Sequence, residues 1–349
     1  MTGGAACAPD SVGRMRILVL GGTIFVGYAV AAEAARRGHD VVCAARGESG
    51  GVPDGTTMVK VDRDAEDGLA PLAGEAFDAV VDVSPLSYPW VRRALETFGE
   101  RAGHWTFVST INVYADNETP GQTPATGPLV PPLEEHATRE EMAARGEDGV
   151  LLYGGIKVAS ENAVLSAMGD RAFVVRPGLI TGSWDRSDRF GYWPGRFARG
   201  GTVLVPDTTS PIQIIDVKDF ARWIVDAAEQ GTGGTYDAVG PHRPTLEMIE
   251  EIASVTGFDG DIVKVAPDWL TGEGVNPWSG PRSLPLWLPP GYEGLKTHDP
   301  APSVAAGLRF APFADAVLDA LAREKELGLD RERRAGLTLD EEKELLAKV

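Results

Sequence analysis

The residues best suited to acid/base chemistry are a tyrosine and a lysine four positions apart, Tyr153 and Lys157, in the segment YGGIK. Residues at this spacing share one face of a helix. An ammonium beside a phenol stabilises the phenolate and lowers the tyrosine pKa from about 10. A hydroxyl pair, Ser109 and Thr110, lies at the carboxyl end of the fifth predicted strand and faces the same crevice, because ligands of parallel sheets bind beyond the carboxyl ends of the strands. Tyrosine and lysine share this spacing on many helices by chance, so the pair indicates catalysis only in a suitable setting.

A glycine-rich segment between the first apolar run and the first helical pattern predicts a phosphate-binding turn. Backbone amides at a helix N-terminus face a pyrophosphate, and glycines permit the tight turn and the close approach of the backbone. An ordinary strand-to-helix turn is the alternative interpretation. The loop GGTIFVG consists of Gly21, Gly22, Thr23, Ile24, Phe25, Val26 and Gly27.

The end of the second predicted strand bears on the choice of dinucleotide. A carboxylate there would accept a hydrogen bond from the 2′-hydroxyl of NAD, whereas an arginine would pair with the 2′-phosphate of NADP. Arg46 follows that strand and no carboxylate ends it. The sequence therefore predicts NADP, with NAD as the alternative, and a solvated loop arginine is the competing interpretation.

Apolar runs alternate with helical patterns over the first half of the chain. Strands are predicted at 17–20, 41–45, 57–61, 79–83, 105–109 and 172–176, and helices at 26–37, 88–98 and 152–168. This alternation indicates a parallel sheet with right-handed crossovers. We expect an α/β fold with a Rossmann-type doubly wound parallel sheet and a smaller C-terminal substrate-binding domain.

The domain boundaries follow from changes in composition. A disordered tail is predicted at 1–14. The NAD(P)-binding domain spans 15–182, and residues 212–240 return to it. That returning part contains a predicted helix at 217–228. Residues 183–211 and 241–330 form the substrate-binding domain, with helices at 245–256 and 313–327, and 331–349 is a C-terminal helical tail.

Charge and cysteine content exclude several classes of protein. The 349 residues carry 33 Lys and Arg against 51 Asp and Glu, a net charge of −18, so a phosphate backbone is repelled and no nucleic-acid partner is expected. Cys7 and Cys43 are too few for a disulfide framework or a four-thiolate zinc site. No apolar run approaches the roughly 20 residues that span a membrane. A cytoplasmic protein with reduced thiols is expected.

Four segments together resemble the extended short-chain dehydrogenase/reductases, the NAD(P)-dependent epimerase/dehydratase group. They are the loop GGTIFVG, STINVYAD at 109–116, YGGIK at 153–157 and RPGLITG at 176–182. The resemblance covers roughly residues 16–327. It implies that Tyr153 exchanges a proton with the substrate oxygen, that Thr110 bonds this oxygen, and that Lys157 lowers the tyrosine pKa and holds the nicotinamide ribose. Ser109 is the less favoured hydroxyl.

The same resemblance implies further cofactor contacts. Asp62, with its neighbour Arg63, meets the adenine, and Ser84 borders the ribose. The nicotinamide is flanked by Pro177, Gly178 and Ile180. One residue departs from the family pattern, since Ile24 stands where the usual loop has a glycine, and a β-branched side chain keeps a phosphate at a greater distance.

The substrate side is predicted from an arginine- and aromatic-rich segment at 183–200. Arginines suit phosphate binding through bidentate pairing and stacking. The alternatives are a loop packed on the core by its aromatic side chains and neutralisation by nearby acids. The five histidines are scattered, so no metal site is expected. The substrate candidates are Arg186, Tyr192, Arg196 and Gln213.

Three functions compete. The leading hypothesis is a bacterial NADP(H)-dependent oxidoreductase that reduces a ketone or oxidises an alcohol on a small sugar-like or secondary-metabolite substrate. The second is a nucleotide-sugar epimerase or dehydratase with transient hydride transfer. The third is a non-catalytic nucleotide sensor or RNA-binding relative. Members of this family are often dimers, so a homodimer is a further prediction.

Overall fold

The computed structural model describes residues 13–349, which form fifteen strands and eleven α-helices. Almost all of the tail predicted at 1–14, including Cys7, lies outside these residues. The strands are β1 (Arg16–Leu20), β2 (Asp40–Ala45), β3 (Thr57–Lys60), β4 (Phe77–Asp82), β5 (Ala102–Val108), β6 (Ala172–Pro177), β7 (Leu179–Thr181), β8 (Val203–Pro206), β9 (Pro211–Ile212), β10 (Ile214–Asp216), β11 (Gly234–Ala238), β12 (Arg243–Pro244), β13 (Ile262–Val265), β14 (Asn276–Trp278) and β15 (Ser283–Pro285). The helices are α1 (Phe25–Arg36), α2 (Tyr88–Phe98), α3 (Arg139–Ala144), α4 (Glu147–Met168), α5 (Tyr192–Phe197), α6 (Val217–Gln230), α7 (Thr245–Thr256), α8 (Pro267–Gly272), α9 (Ala301–Ala305), α10 (Phe313–Leu327) and α11 (Leu339–Leu346).

Seven strands form one parallel sheet in the order β11-β6-β5-β4-β1-β2-β3. The order reverses between β1 and β4, and in such sheets ligands bind at this reversal, beyond the carboxyl ends of the strands. The prediction of a Rossmann-type doubly wound sheet is confirmed. β11 was not predicted as a separate strand, because Gly234–Ala238 contains few large apolar residues.

The sheet is covered on both faces because successive side chains of a strand point to opposite sides. Ile17 and Val19 of β1 pack with α1 and α6, whereas Leu18 and Leu20 pack with α2 and α4. Strands buried on both faces carry continuous apolar runs, as β1 does. The sheet is thereby a rigid base for the loops at its carboxyl edge.

A second apolar core joins residues of α5, α7, α10 and the parallel pair β8–β13. Trp193 is fully buried in it, and so is Leu345 of α11. The terminal segment predicted as a tail therefore packs into this core. Leu308 falls in the range predicted as the substrate-binding domain, but it packs in the apolar cluster between α6 and the central sheet. The exact domain boundaries stay predictions.

None of the helices within residues 13–349 combines the length and the apolar character that crossing a membrane requires.

Candidate active site

Most segments predicted to bind the cofactor follow strands of the central sheet and therefore gather at its carboxyl edge. The glycine loop follows β1, Arg46 follows β2 and Asp62 follows β3. Ser84 follows β4, and Thr110 follows β5. Pro177 ends β6, Gly178 connects it to β7, and Ile180 lies half-buried within β7. The fold thus brings these segments to one crevice.

The glycine loop is packed so tightly that side chains are excluded at its ends. A methyl group at Gly27 would lie 2.2 Å from the carbonyl oxygen of Gly21, and one at Gly22 would lie 2.6 Å from Sγ of Cys43. Gly21 has a φ of +102°, which favours glycine. Its amide bonds the carbonyl of Ala44 in β2, at 2.9 Å. Each glycine therefore meets a steric demand, as a close strand–helix connection requires.

Three consecutive amides of this loop remain available to a ligand. Within residues 13–349, the N–H groups of Gly22, Thr23 and Ile24 donate to no backbone carbonyl. Ile24 is half-buried and has the extended conformation of a helix N-cap, but it supplies no side-chain cap. Phe25 starts α1 with a φ of +41°, a strained conformation for a residue with a side chain. Free amides at a helix N-terminus are suited to an anion.

The residues predicted at the adenosine end differ in their surroundings. Arg46 is exposed, with its guanidinium 3.5 Å from Glu48 and 3.8 Å from Asp64. Asp62 is also exposed, and its carboxylate accepts the amide of Asp64 at 3.1 Å. Both side chains can therefore reach a ligand from solvent.

Arg63 does not have the free side chain that an adenine contact would need. Its two terminal nitrogens donate to the carboxylate of Asp82 at 2.8 and 2.9 Å, and one also donates to the carbonyl of Trp90. Both partners of this ion pair are buried. The pair joins the segment after β3 to the end of β4, and the cofactor role of Arg63 stays a prediction.

Lys157 connects α4 to the ends of two strands. Its Nζ donates to the carbonyls of Ser84 and Val108, each at 2.6 Å. Burial lowers the pKa of Lys157 to about 7, although the negative charges of Asp82 and Glu161 oppose this shift. The protonated amine has three N–H donors, so in this form one remains for a ligand beside the buried Ser84.

Tyr153 and Thr110 come together from α4 and from the loop after β5. Burial raises the pKa of the Tyr153 phenol, whereas the adjacent Thr110 side chain and the charge of Arg139 lower it. This upward shift of the pKa is opposite to the lowering by Lys157 that the sequence suggested, because burial outweighs the lowering contributions. Nζ of Lys157 lies over the ring, 5.9 Å from its centre, and donates to carbonyl groups. The phenol is therefore protonated at neutral pH.

The two glycines of YGGIK let α4 approach the hydroxyl loop. A methyl group at Gly154 would lie 2.3 Å from the carbonyl oxygen of Asn112, and one at Gly155 would lie 2.7 Å from Leu133. Larger residues would push Tyr153 away from Thr110. The sequence analysis did not assign these glycines a role, although glycine in the interior of a helix costs stability and thus signals close packing.

A buried polar network lies behind the crevice and was also missed by the sequence analysis. The Ser109 hydroxyl donates to Glu161, which pairs with Arg176 through bonds of 2.7 and 3.0 Å. Arg176 donates to the Tyr114 hydroxyl, which in turn donates to Asp237. Because Ser109 is engaged with Glu161, Thr110 is the hydroxyl left for chemistry. Its oxygen accepts the amide of Asn112 at 3.2 Å, which leaves its own proton to be donated.

Three of the four substrate candidates are held in the protein interior. Tyr192 is fully buried in the second core. Arg196 is buried and pairs with Glu342 of α11 at 2.5 Å, and its other nitrogens donate to two backbone carbonyls. The Gln213 side-chain amide bonds the carbonyls of Gly240 and His298. Arg196 and Gln213 are thus engaged within the fold and Tyr192 is buried, and the substrate role of these three residues stays a prediction.

Arg186 is the exposed member of the four. It donates to the carbonyl of Ser49, in the loop after β2, at 2.9 Å. It therefore lies towards the glycine loop.

The residues at this edge fit a dinucleotide. The tightly packed glycine turn leaves free amides for a pyrophosphate, and the remaining donor of Lys157 is suited to a ribose hydroxyl. Among residues 13–349, no group of three or more His, Cys, Asp or Glu side chains is arranged to hold a metal ion.

Comparison with known proteins places the chain in a family. The model of the NAD dependent epimerase/dehydratase family matches residues 17–238. The chain belongs to this family. Membership confirms the resemblance seen in the sequence and the prediction of an NAD-dependent enzyme. No curated protein sequence gives a significant match.

Solved structures of other proteins share the fold of this family member. The enzyme WbmH of Bordetella bronchiseptica, in complex with NAD⁺, has a TM-score of 0.62 at 16% identity and covers 90% of this chain and 99% of its own. The UDP-glucose 4-epimerase of Thermus thermophilus, in complex with NAD, has a TM-score of 0.62 at 17% identity. The match covers 89% of this chain and 99% of that enzyme. The UDP-glucuronic acid 4-epimerase of Bacillus cereus, in complex with UDP-glucuronic acid and NAD, has a TM-score of 0.62 at 14% identity. The match covers 90% of this chain and 100% of that enzyme.

Proposed function

We propose that the chain transfers hydride between NADP(H) and a carbonyl or alcohol carbon of a small, sugar-like or secondary-metabolite substrate, with Tyr153 as general acid/base. One observation carries the proposal. Tyr153 lies on the helix whose next residue, Gly154, packs against the loop that carries Thr110 and whose Lys157 reaches the ends of β4 and β5.

The protonation state of Tyr153 is the one that carbonyl reduction requires. A phenol is protonated at neutral pH, and the raised pKa of Tyr153 keeps it so, which lets it donate its proton to a carbonyl oxygen that gains negative charge. Thr110 donates its remaining proton to the same oxygen. Lys157 holds α4 against the strand ends and, in its protonated form, offers its third N–H to a ribose hydroxyl. The bound dinucleotide supplies the hydride.

The preference for NADP rests on Arg46. β2 ends in Ala45, so no carboxylate ends the strand, and the exposed guanidinium of Arg46 comes next. The carboxylates of Glu48 and Asp64 lie at long range from it, at 3.5 and 3.8 Å. A 2′-phosphate can therefore compete for the arginine by bidentate pairing.

A nucleotide-sugar epimerase or dehydratase is the second candidate. It is supported by the UDP-sugar epimerases that share the fold over nearly their whole length. An enzyme of this kind takes hydride from its substrate and returns it, so it retains the dinucleotide and shows no net oxidation.

The test begins with the purified chain. The dinucleotide that co-purifies is identified, and NADPH and NADH oxidation are then followed against a panel of ketones and keto-sugars, with UDP-sugars assayed for epimerisation in parallel. Net oxidation of NADPH supports the leading proposal. Tightly bound NAD with interconversion of a UDP-sugar and no net oxidation supports the second candidate. A chain that binds neither dinucleotide contradicts both.

A further inference from the structure

A segment from the second half of the chain reaches the cofactor-binding half. Residues 182–189, here called the strap, follow β7. The Trp184 ring lies 5.3 Å from the ring of Tyr28 in α1, and the Arg186 guanidinium bonds the carbonyl of Ser49. The strap therefore contacts both the helix that follows the glycine loop and the loop that follows β2.

The strap is fixed near its C-terminal end and strained at two positions. Asp188 pairs with Arg331 and accepts the backbone amide of Arg334 at 2.8 Å. Trp184 and Asp188 have φ values of +78° and +61°, in the left-handed region that favours glycine. The guanidinium of Arg323 lies over the Trp184 ring, 4.7 Å from the ring centre. Strained residues held in place by their surroundings occur frequently at ligand clamps.

Arg186 is a cation near the loop that follows β2. It is exposed, and no carboxylate of residues 13–349 forms an ion pair with it. Its one hydrogen bond goes to a neutral carbonyl. Arg46, on the same loop as Ser49, has two carboxylates near it. An arginine without a neutralising partner is suited to an incoming anion.

The loop that Arg186 touches lies against the phosphate-binding turn. A methyl group built on Gly50, the residue after Ser49, would lie 3.5 Å from the carbonyl oxygen of Thr23. Ser49 is thus adjacent to the amides left free in the glycine loop. A dinucleotide lying on that loop places its phosphates within the region that the strap approaches.

We infer that Arg186 binds a phosphate of the dinucleotide, and that the strap is a clamp on the cofactor and not a part of the substrate pocket. On binding, the guanidinium exchanges its bond to the Ser49 carbonyl for a charge-assisted bond to the phosphate. The inference rests on the proposed function, because it requires a dinucleotide on the glycine loop.

The experiment compares dinucleotide binding by the full chain and by Arg186→Ala. The dissociation constants for NADPH and NADH and the rates of dissociation are measured by fluorescence, without substrate. Arg92→Ala is the matched control, because it removes an equal charge from the exposed face of α2. Arg186→Lys keeps the charge but not the bidentate geometry, and circular dichroism verifies the fold of each variant.

We expect Arg186→Ala to raise the NADPH dissociation constant about tenfold, mainly through faster dissociation, with Arg186→Lys intermediate and Arg92→Ala unchanged. An equal loss for NADH assigns the contact to the diphosphate, and a loss confined to NADPH assigns it to the 2′-phosphate. Affinities equal to those of the wild type for both dinucleotides overturn the inference. Absence of any dinucleotide binding by the wild type would instead refute the proposed function.

Discussion

Lys157 makes the stability of the protein depend on pH in a way that a single substitution removes. Its side chain is 3% exposed, and burial lowers its pKa to about 7 from the model-compound value of 10.5. In the unfolded chain the amine keeps its proton up to about pH 10.4. Between these two pKa values the unfolded state binds one more proton than the folded state, so stability rises with pH.

The size of the effect follows from linkage. Each pH unit between the two pKa values adds up to about 1.4 kcal/mol to the free energy of unfolding. From pH 7.5 to 9.0, Lys157 therefore adds about 2 kcal/mol to the wild-type chain. Below pH 7 both states hold the proton and the penalty for burying the charge is constant. Lys157→Met has no titrating group at this position and lacks this gain.

The assay is urea unfolding at pH 7.5 and pH 9.0. The quantity of interest is the change in unfolding free energy of the wild type minus that of Lys157→Met, because other titrating groups, including the Cys43 thiol, are common to both. Lys264→Met serves as control, because this lysine is exposed and its pKa is raised, so the substitution leaves the pH dependence unchanged. A pH dependence of Lys157→Met equal to that of the wild type would refute the assignment of a buried, easily neutralised lysine.

Two further substitutions test the glycine loop and the polar network. Gly27→Ala forces a methyl group against a backbone oxygen at 2.2 Å and should abolish dinucleotide binding in a titration, whereas Gly74→Ala, with no atom within 4 Å, should bind normally. Glu161→Gln leaves the buried Arg176 charge without its partner and should cost about 3–5 kcal/mol in urea unfolding. Glu96→Gln breaks an exposed pair and should cost less than about 1 kcal/mol. A stable Glu161→Gln protein would show that the network contributes little.

Local patterns predicted the fold and the positions of the site segments well. The helix predicted at 245–256 has the same bounds in the structure, because apolar residues at helical spacing end at a glycine. The glycine loop and the Tyr153–Lys157 pair follow from strand, turn and helix order along a short stretch. Such features depend on neighbours in the sequence and can be recognised there.

The roles of individual charged residues depend on distant partners and could not be predicted. Arg196 resembles a phosphate-binding arginine by composition, but Glu342, far along the chain, neutralises it. Arg63 is occupied by Asp82 in the same way. Arg186 lies in the same arginine-rich segment and has no such partner among residues 13–349. The sequence reveals how many charges a segment carries, but only the fold determines which are balanced.

The central claim is that Tyr153 donates the proton, and replacing its hydroxyl tests this most directly. We expect Tyr153→Phe to lower the rate of NADPH-dependent turnover by about 10²–10⁴-fold, with NADPH affinity nearly unchanged, because the ring and its packing remain. Tyr236→Phe, which loses a hydroxyl on β11, should leave both quantities unchanged. Full turnover by Tyr153→Phe would contradict the account.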